Sequence, residues 1–130
     1  MDIITDASAI IAVVAMEPER EKVILLTRGA NIVCPNMISY EISNGLTKMM
    51  KKKVIGKKQM LNMFEYYKRI IIKQIEVDFM NALEIAWNYN IYSYDACYLE
   101  LADRLKLPLL TFDGNMAKIG KEIGINILGE

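Results

Sequence analysis

Histidine is absent from all 130 residues. That single gap removes a Ser-His-Asp triad, a Cys-His nucleophile, a histidine general base and any zinc site built on imidazole. Whatever chemistry the chain performs must come from carboxylates, lysines, hydroxyls or a bound ion. Cysteine is scarce as well. Cys34 and Cys97 are the only two, both in apolar surroundings and without metal-ligand spacing, so they read as reduced core residues of a cytoplasmic protein. There is no net charge, with 16 basic against 16 acidic residues, so the overall field does not attract nucleic acid and any such contact needs a local basic patch. No run approaches the ~18 apolar residues of a membrane span. Asp2 and Asp6 interrupt the N-terminus, which therefore lacks the pattern of a cleaved leader. No membrane partner is expected.

With 53% hydrophobic and 25% charged residues, the chain suits one compact domain over residues 1–130. The only prolines, Pro18, Pro35 and Pro108, each fall at an element boundary. Apolar runs rich in Ile and Val read as buried parallel strands at Ile3–Thr5, Asn31–Cys34, Ile70–Ile75, Leu109–Thr111 and Ile125–Leu128. Helical patterns lie between them. They run from Ser8 to Ala15, from Glu19 to Thr27, along the face Ile38-Ile42-Gly45-Leu46-Met49, and from Met60 through Phe64 and Tyr67. Asp78 is placed to cap a helix over Phe79–Asn88, and Ser93 one that carries Ala96, Leu99, Ala102 and Leu105. Gly114 to Gly120 reads as a last short turn of helix. Strands alternating with helices predict a parallel sheet covered on both faces, with any site beyond the carboxyl ends of the strands.

Four acids stand out. Asp6 directly follows Ile3-Ile4-Thr5 and Asp113 follows Leu109-Leu110-Thr111-Phe112. Read singly, the first is a helix cap and the second a turn residue before Gly114. Glu41 and Asp95 sit on the edges of apolar helical faces, where a carboxylate needs a hydrogen-bond donor, a cation or a proton. If the four converge, repulsion is costly. Two carboxylates about 6 Å apart repel by roughly 3 kcal/mol at an effective dielectric near 20. A divalent ion offsets that cost, and oxygen-only donors favour Mg²⁺ or Mn²⁺ over zinc. Water on such an ion can be activated against a phosphodiester.

Ile4-Thr5-Asp6-Ala7-Ser8, Ser39-Tyr40-Glu41-Ile42, the stretch from Tyr94-Asp95-Ala96-Cys97 to Leu101-Ala102, and Leu110-Thr111-Phe112-Asp113 occur in this order and with these gaps. In these segments the chain resembles the PIN domain family, and within it the VapC-like toxins, from Asp2 to Leu128. The resemblance implies a three-layer α/β/α sandwich with a five-stranded parallel sheet ordered 3-2-1-4-5. It also implies a Mg²⁺- or Mn²⁺-dependent endoribonuclease paired with a small antitoxin. By position, Asp6 and Asp95 are then metal ligands, Glu41 binds or positions the attacking water, and Asp113 completes the acidic site. Ser8 and Thr111 orient the carboxylates. The chain departs from the pattern after the fourth acid. Many relatives carry a basic residue there, whereas Gly114 and Asn115 follow here and the first base is Lys118. Asn115 is a further candidate for the metal's water shell.

Between Ile42 and Phe64 there is no acid, yet there are six lysines: Lys48, Lys51, Lys52, Lys53, Lys57 and Lys58. They form the candidate surface for RNA phosphates, or a merely solvated helical hairpin. Tyr66, Tyr67, Trp87, Tyr89, Tyr92, Tyr94 and Tyr98 offer aromatic surface to bases or to a partner chain, and read more readily as core or homodimer interface. The leading expectation is a toxin ribonuclease. The alternatives are a PIN-domain RNA-processing nuclease without an antitoxin and a non-catalytic module that binds RNA or protein. Other α/β folds fit poorly. The chain has no G-x-G-x-x-G after the first strand, no Walker lysine motif, no second aspartate after Asp6 of the phosphatase kind, and no receiver-domain pattern around Glu76 and Asp78.

Overall fold

The structure is a computed structural model describing residues 1–130. The chain alternates strand and helix as β1 (Asp2–Thr5), α1 (Ala7–Val14), α2 (Arg20–Thr27), β2 (Asn31–Pro35), α3 (Ile38–Lys51), α4 (Lys57–Arg69), β3 (Ile72–Ile75), α5 (Phe79–Tyr89), α6 (Ser93–Leu105), β4 (Leu109–Leu110), α7 (Gly114–Ile123) and β5 (Ile127–Leu128). The five strands form one parallel sheet, as the strand–helix alternation predicts, in the order β3-β2-β1-β4-β5 that the resemblance implies.

Strand alternation splits the apolar residues between the two faces of the sheet. Ile3 and Leu110 pack with Ala9 and Val23. Ile4, Val33 and Leu109 belong to a larger cluster with Ile38, Ile42 and Leu46 of α3 and Leu99 and Leu101 of α6. Cys34 and Cys97 are buried, unpaired thiols.

Four expectations need correction. β3 starts at Ile72, because Ile70 closes α4. It is an edge strand with Lys73 and Gln74 exposed, so it is not buried on both faces. α4 begins at Lys57, three residues before Met60, with Gly56 in an extended backbone ahead of it. Ser93 is the first residue of α6 and not its cap; Tyr92 holds the capping position and makes no side-chain capping bond. Gly114 to Gly120 is only part of a ten-residue helix. Gly120 lies inside it because a Cβ there would come within 2.6 Å of Ile127. Asp78 does cap α5, accepting from the Asn81 N–H.

The strand order places the reversal of connectivity between β1 and β4. There the outgoing chains diverge to opposite sides and leave a crevice beyond the strands' carboxyl ends. Thr5 is registered against Leu110, so Asp6 and Thr111 emerge side by side at that crevice.

Candidate active site

All four sequence-predicted acids line one cleft of about 520 Å³ at this crevice, together with Ser8, Asn44, Lys48 and the tyrosines Tyr40, Tyr92, Tyr94 and Tyr98. Asp6 arrives from the end of β1, Glu41 from the first turn of α3, Asp95 from the first turn of α6 and Asp113 from the start of α7. Thus the capping reading of Asp6 holds, Asp113 is a helix cap and not a turn residue, and both roles coexist with membership of the cluster. Asp6 Oδ1 accepts the Ala9 N–H of α1 (3.0 Å), and Asp113 Oδ1 accepts the Met116 N–H of α7 (2.8 Å). Each helix start uses one carboxylate oxygen and fixes the rotamer of the other.

Asp6 is the most constrained of the four, at 3% exposure. Ser8 Oγ donates to its Oδ1 (2.7 Å) and Thr111 Oγ1 donates to its Oδ2 (2.5 Å). The same Thr111 oxygen accepts the backbone N–H of Asp113 (3.0 Å), which ties two of the acids through one hydroxyl. Burial raises the Asp6 pKa. The Thr111, Ser8 and Ala9 hydrogen bonds pull it back down, and the Asp113 charge adds a further upward push.

Glu41 is half-buried. Burial raises its pKa, the Tyr98 hydroxyl lowers it by donating to Oε1 (2.5 Å), the charges of Asp95 and Asp6 raise it, and Lys48 lowers it slightly. Asp95 is also pushed up, first by burial and then by Asp113 and Asp6. None of the four carboxylates takes part in any of the five ion pairs of the chain. The cluster is an uncompensated concentration of negative charge, held in place by hydroxyl and amide donors.

Of the six lysines, Lys48 alone lines the cleft. It lies two helical turns beyond Glu41 on α3. Lys51, Lys52, Lys53, Lys57 and Lys58 are exposed around the α3–α4 turn, beyond the cleft wall. Asn115 is exposed on α7 and does not line the cleft. Tyr98 was missed as a site residue. Its three-residue offset from Asp95 on one helical face was the available signal, and its partner Glu41, 57 residues away, was invisible in the sequence.

A family model described as "PIN domain" matches residues 3–122. The chain belongs to the PIN domain family. Among characterised members, this PIN domain is 25% identical to Ribonuclease VapC3 of Pyrobaculum aerophilum, covering 91% of this chain and 94% of that one. It is also 25% identical to Ribonuclease VapC9 of Mycobacterium tuberculosis, at 92% and 91%. Its fold matches the crystal structure of PAE2754 from Pyrobaculum aerophilum with a TM-score of 0.69 at 22% identity, over 98% and 92% of the two chains. It matches a chain of VapBC2 from Rickettsia felis, solved bound to a DNA fragment from the promoter, with a TM-score of 0.67 at 14% identity and 98% coverage of each.

Proposed function

We propose that this PIN domain is the toxin endoribonuclease of a toxin–antitoxin pair, hydrolysing RNA phosphodiesters with Mg²⁺ or Mn²⁺. The observation that carries the reading is the gathering of Asp6, Glu41, Asp95 and Asp113, unpaired with any cationic side chain, into one cleft. The 25%-identical relatives named as VapC ribonucleases support it over most of both chains.

The donor set fits a hard divalent ion. It offers oxygen only, because the chain has no histidine and both thiols are buried, Cys34 bonded to the Thr5 carbonyl. No three acidic side chains close on a point as a preformed cage. That suits an ion that keeps several waters and touches one or two carboxylates directly. Asp6 and Asp95, with Asp113, are assigned as the residues that hold it. When bound, the ion neutralises the cluster, stabilises charge on the phosphate and lowers the pKa of water.

The side chains do the rest. Ser8, Thr111 and the Ala9 amide hold Asp6 rigid, so little reorganisation is needed when substrate arrives. Tyr98 fixes Glu41 through Oε1 and leaves Oε2 for a water. The raised proton affinity of Glu41 suits it to accept a proton from that water as its oxygen attacks phosphorus and the ester P–O bond breaks. The Lys48 ammonium is placed to meet phosphate charge, and the more distant lysines serve as a phosphate track. An antitoxin is the expected protein partner. A homodimer is supported by the exposed apolar stripe Met80, Leu83 and Trp87 on α5. No helix is long and apolar enough to cross a membrane, and the two free thiols suit a reducing cytoplasm.

The test is cleavage of RNA with Mn²⁺, lost in Asp95→Asn and in EDTA. Vigorous cleavage in excess EDTA defeats the reading. A processing nuclease without an antitoxin gives the same cleavage, and the adjacent open reading frame separates the two.

A further inference from the structure

Tyrosine is used in two ways in this chain. Tyr67 and Tyr98 are buried, with hydroxyls bonded to Ser39 and Glu41. Tyr40, Tyr92 and Tyr94 are 78%, 87% and 55% exposed. None of their hydroxyls has a partner in the chain, and none of their rings packs on another aromatic ring. Yet all three line the acidic cleft. Their placement follows the acids. Tyr40 precedes Glu41 in the first turn of α3, while Tyr92 and Tyr94 flank the start of α6 and Tyr94 precedes Asp95. Aromatic rings therefore rise from the starts of α3 and α6, the two helices whose first turns deliver Glu41 and Asp95.

Leaving three large rings in water is unfavourable unless something covers them. The cleft beneath them is anionic, with one lysine on its wall, so the cover must tolerate carboxylates and gain from Lys48. A nucleic-acid strand does both once a divalent ion offsets the carboxylates and a phosphate meets Lys48. The bases beside a scissile phosphate can stack on rings only if they are unpaired. In A-form duplex RNA they are stacked on one another, so their faces are closed to a side chain. Stacking on tyrosine is tolerant of base identity, because every base has a π-face.

We propose that Tyr40 and Tyr92, with Tyr94, form a base-stacking rim that selects unpaired RNA and splays the nucleotides on either side of the scissile phosphate. The rim acts in binding and positioning, and it gives strand-state selectivity without sequence choice. This rests on the ribonuclease reading above.

The test is fluorescence anisotropy with short labelled oligoadenylate, oligouridylate and an RNA duplex, in EDTA so that nothing is cut and at about 0.3 M salt so that the uncompensated acids are screened. Repulsion from the acids is common to all variants and cancels in their ratios. Tyr40→Ala and Tyr92→Ala should each weaken single-strand binding about tenfold, within the range found for one base–aromatic stack. Tyr40→Phe and Tyr92→Phe should bind as the parent does, and duplex binding should be weaker and indifferent to all four changes. Unchanged single-strand binding in the alanine variants overturns the proposal, as does a parent protein that binds neither oligonucleotide. A change of oligomeric state on gel filtration with oligonucleotide binding intact also overturns it, by giving the rings to a protein partner. The ribonuclease reading fails separately, if denatured RNA is not cut with Mn²⁺.

Discussion

Thr111→Val isolates what holds the buried Asp6 carboxylate. Valine matches threonine in shape and keeps the packing at the end of β4, but it removes the hydroxyl. Two bonds are lost: the donation to Asp6 Oδ2 and the acceptance of the Asp113 N–H. A bond to a charged group contributes about 1.5–3 kcal/mol and an ordinary one about 1 kcal/mol. The cation-free variant should therefore be about 3 kcal/mol less stable at neutral pH, which is ~10 °C in Tm for a domain of this size. The pH dependence gives a sharper check. The folded pKa of Asp6 lies above its unfolded value, and Thr111 opposes that rise. Stability linked to Asp6 is thus complete below the unfolded pKa and is lost as pH rises through the folded one. Without the hydroxyl the folded pKa climbs further, so more is lost by neutral pH. The gap between parent and variant should narrow from about 3 towards about 2 kcal/mol as pH falls through the folded pKa of Asp6, because both lost bonds are then ordinary ones. Urea unfolding across this pH range in EDTA measures it. A gap that does not vary with pH, or none at neutral pH, refutes the account of how Asp6 is held.

The raised pKa values of Asp6, Glu41 and Asp95 make the cation-free protein lose stability as pH rises from about 4 towards 7. Mn²⁺ at a hundredfold excess over its Kd should add about 2.7 kcal/mol; a melting temperature indifferent to both pH and Mn²⁺ would contradict this. Asp95→Asn should abolish cleavage while leaving the cation-free protein at least as stable at neutral pH, since it removes a charge repelled by Asp113 and Asp6. A destabilised Asn variant in EDTA argues against that repulsion. Tyr98→Phe should keep the fold and cut the cleavage rate by roughly 10- to 100-fold through loss of Glu41 positioning, with single-strand affinity unchanged; parent-like rates would remove Tyr98 from the mechanism. Glu100, 2% exposed, accepts from Arg104 and from the Asp78 N–H, and Arg104 also donates to the Glu76 carbonyl. Glu100→Ala should cost about 3 kcal/mol on denaturant unfolding, at the low end for breaking a buried pair because Arg104 can rehydrate.

Local patterns were legible wherever one element's own residues decide the outcome. Ile3-Ile4-Thr5 and Asn31–Cys34 became strands because β-branched runs of that length suit a sheet buried on both faces. The apolar stripe of Ile38, Ile42 and Leu46 became the buried face of α3 for the reason its period suggests. The misread elements are those whose limits depend on neighbours. Ile70 and Ile71 look like strand, but α4 continues to Arg69 and the edge position leaves Lys73 and Gln74 in water. Gly120 looks like a helix end, yet it lies inside α7, where a Cβ would crowd the tip of the Ile127 side chain.

The four acids followed the same division. Their identity and order, the lack of histidine and the family resemblance were readable in the sequence. By itself it therefore determined the kind of fold, an oxygen-only donor set and the residues on which to stake a site. Only the tertiary structure decided how they are used, because a hydrogen bond or a charge repulsion depends on distance in space and not along the chain. It brought Thr111 to Asp6 across 105 residues and Tyr98 to Glu41 across 57. It admitted Lys48 to the cleft while leaving five other lysines outside. And it turned Tyr92 and Tyr94, which looked like core or interface, together with Tyr40 into an exposed rim around the acids.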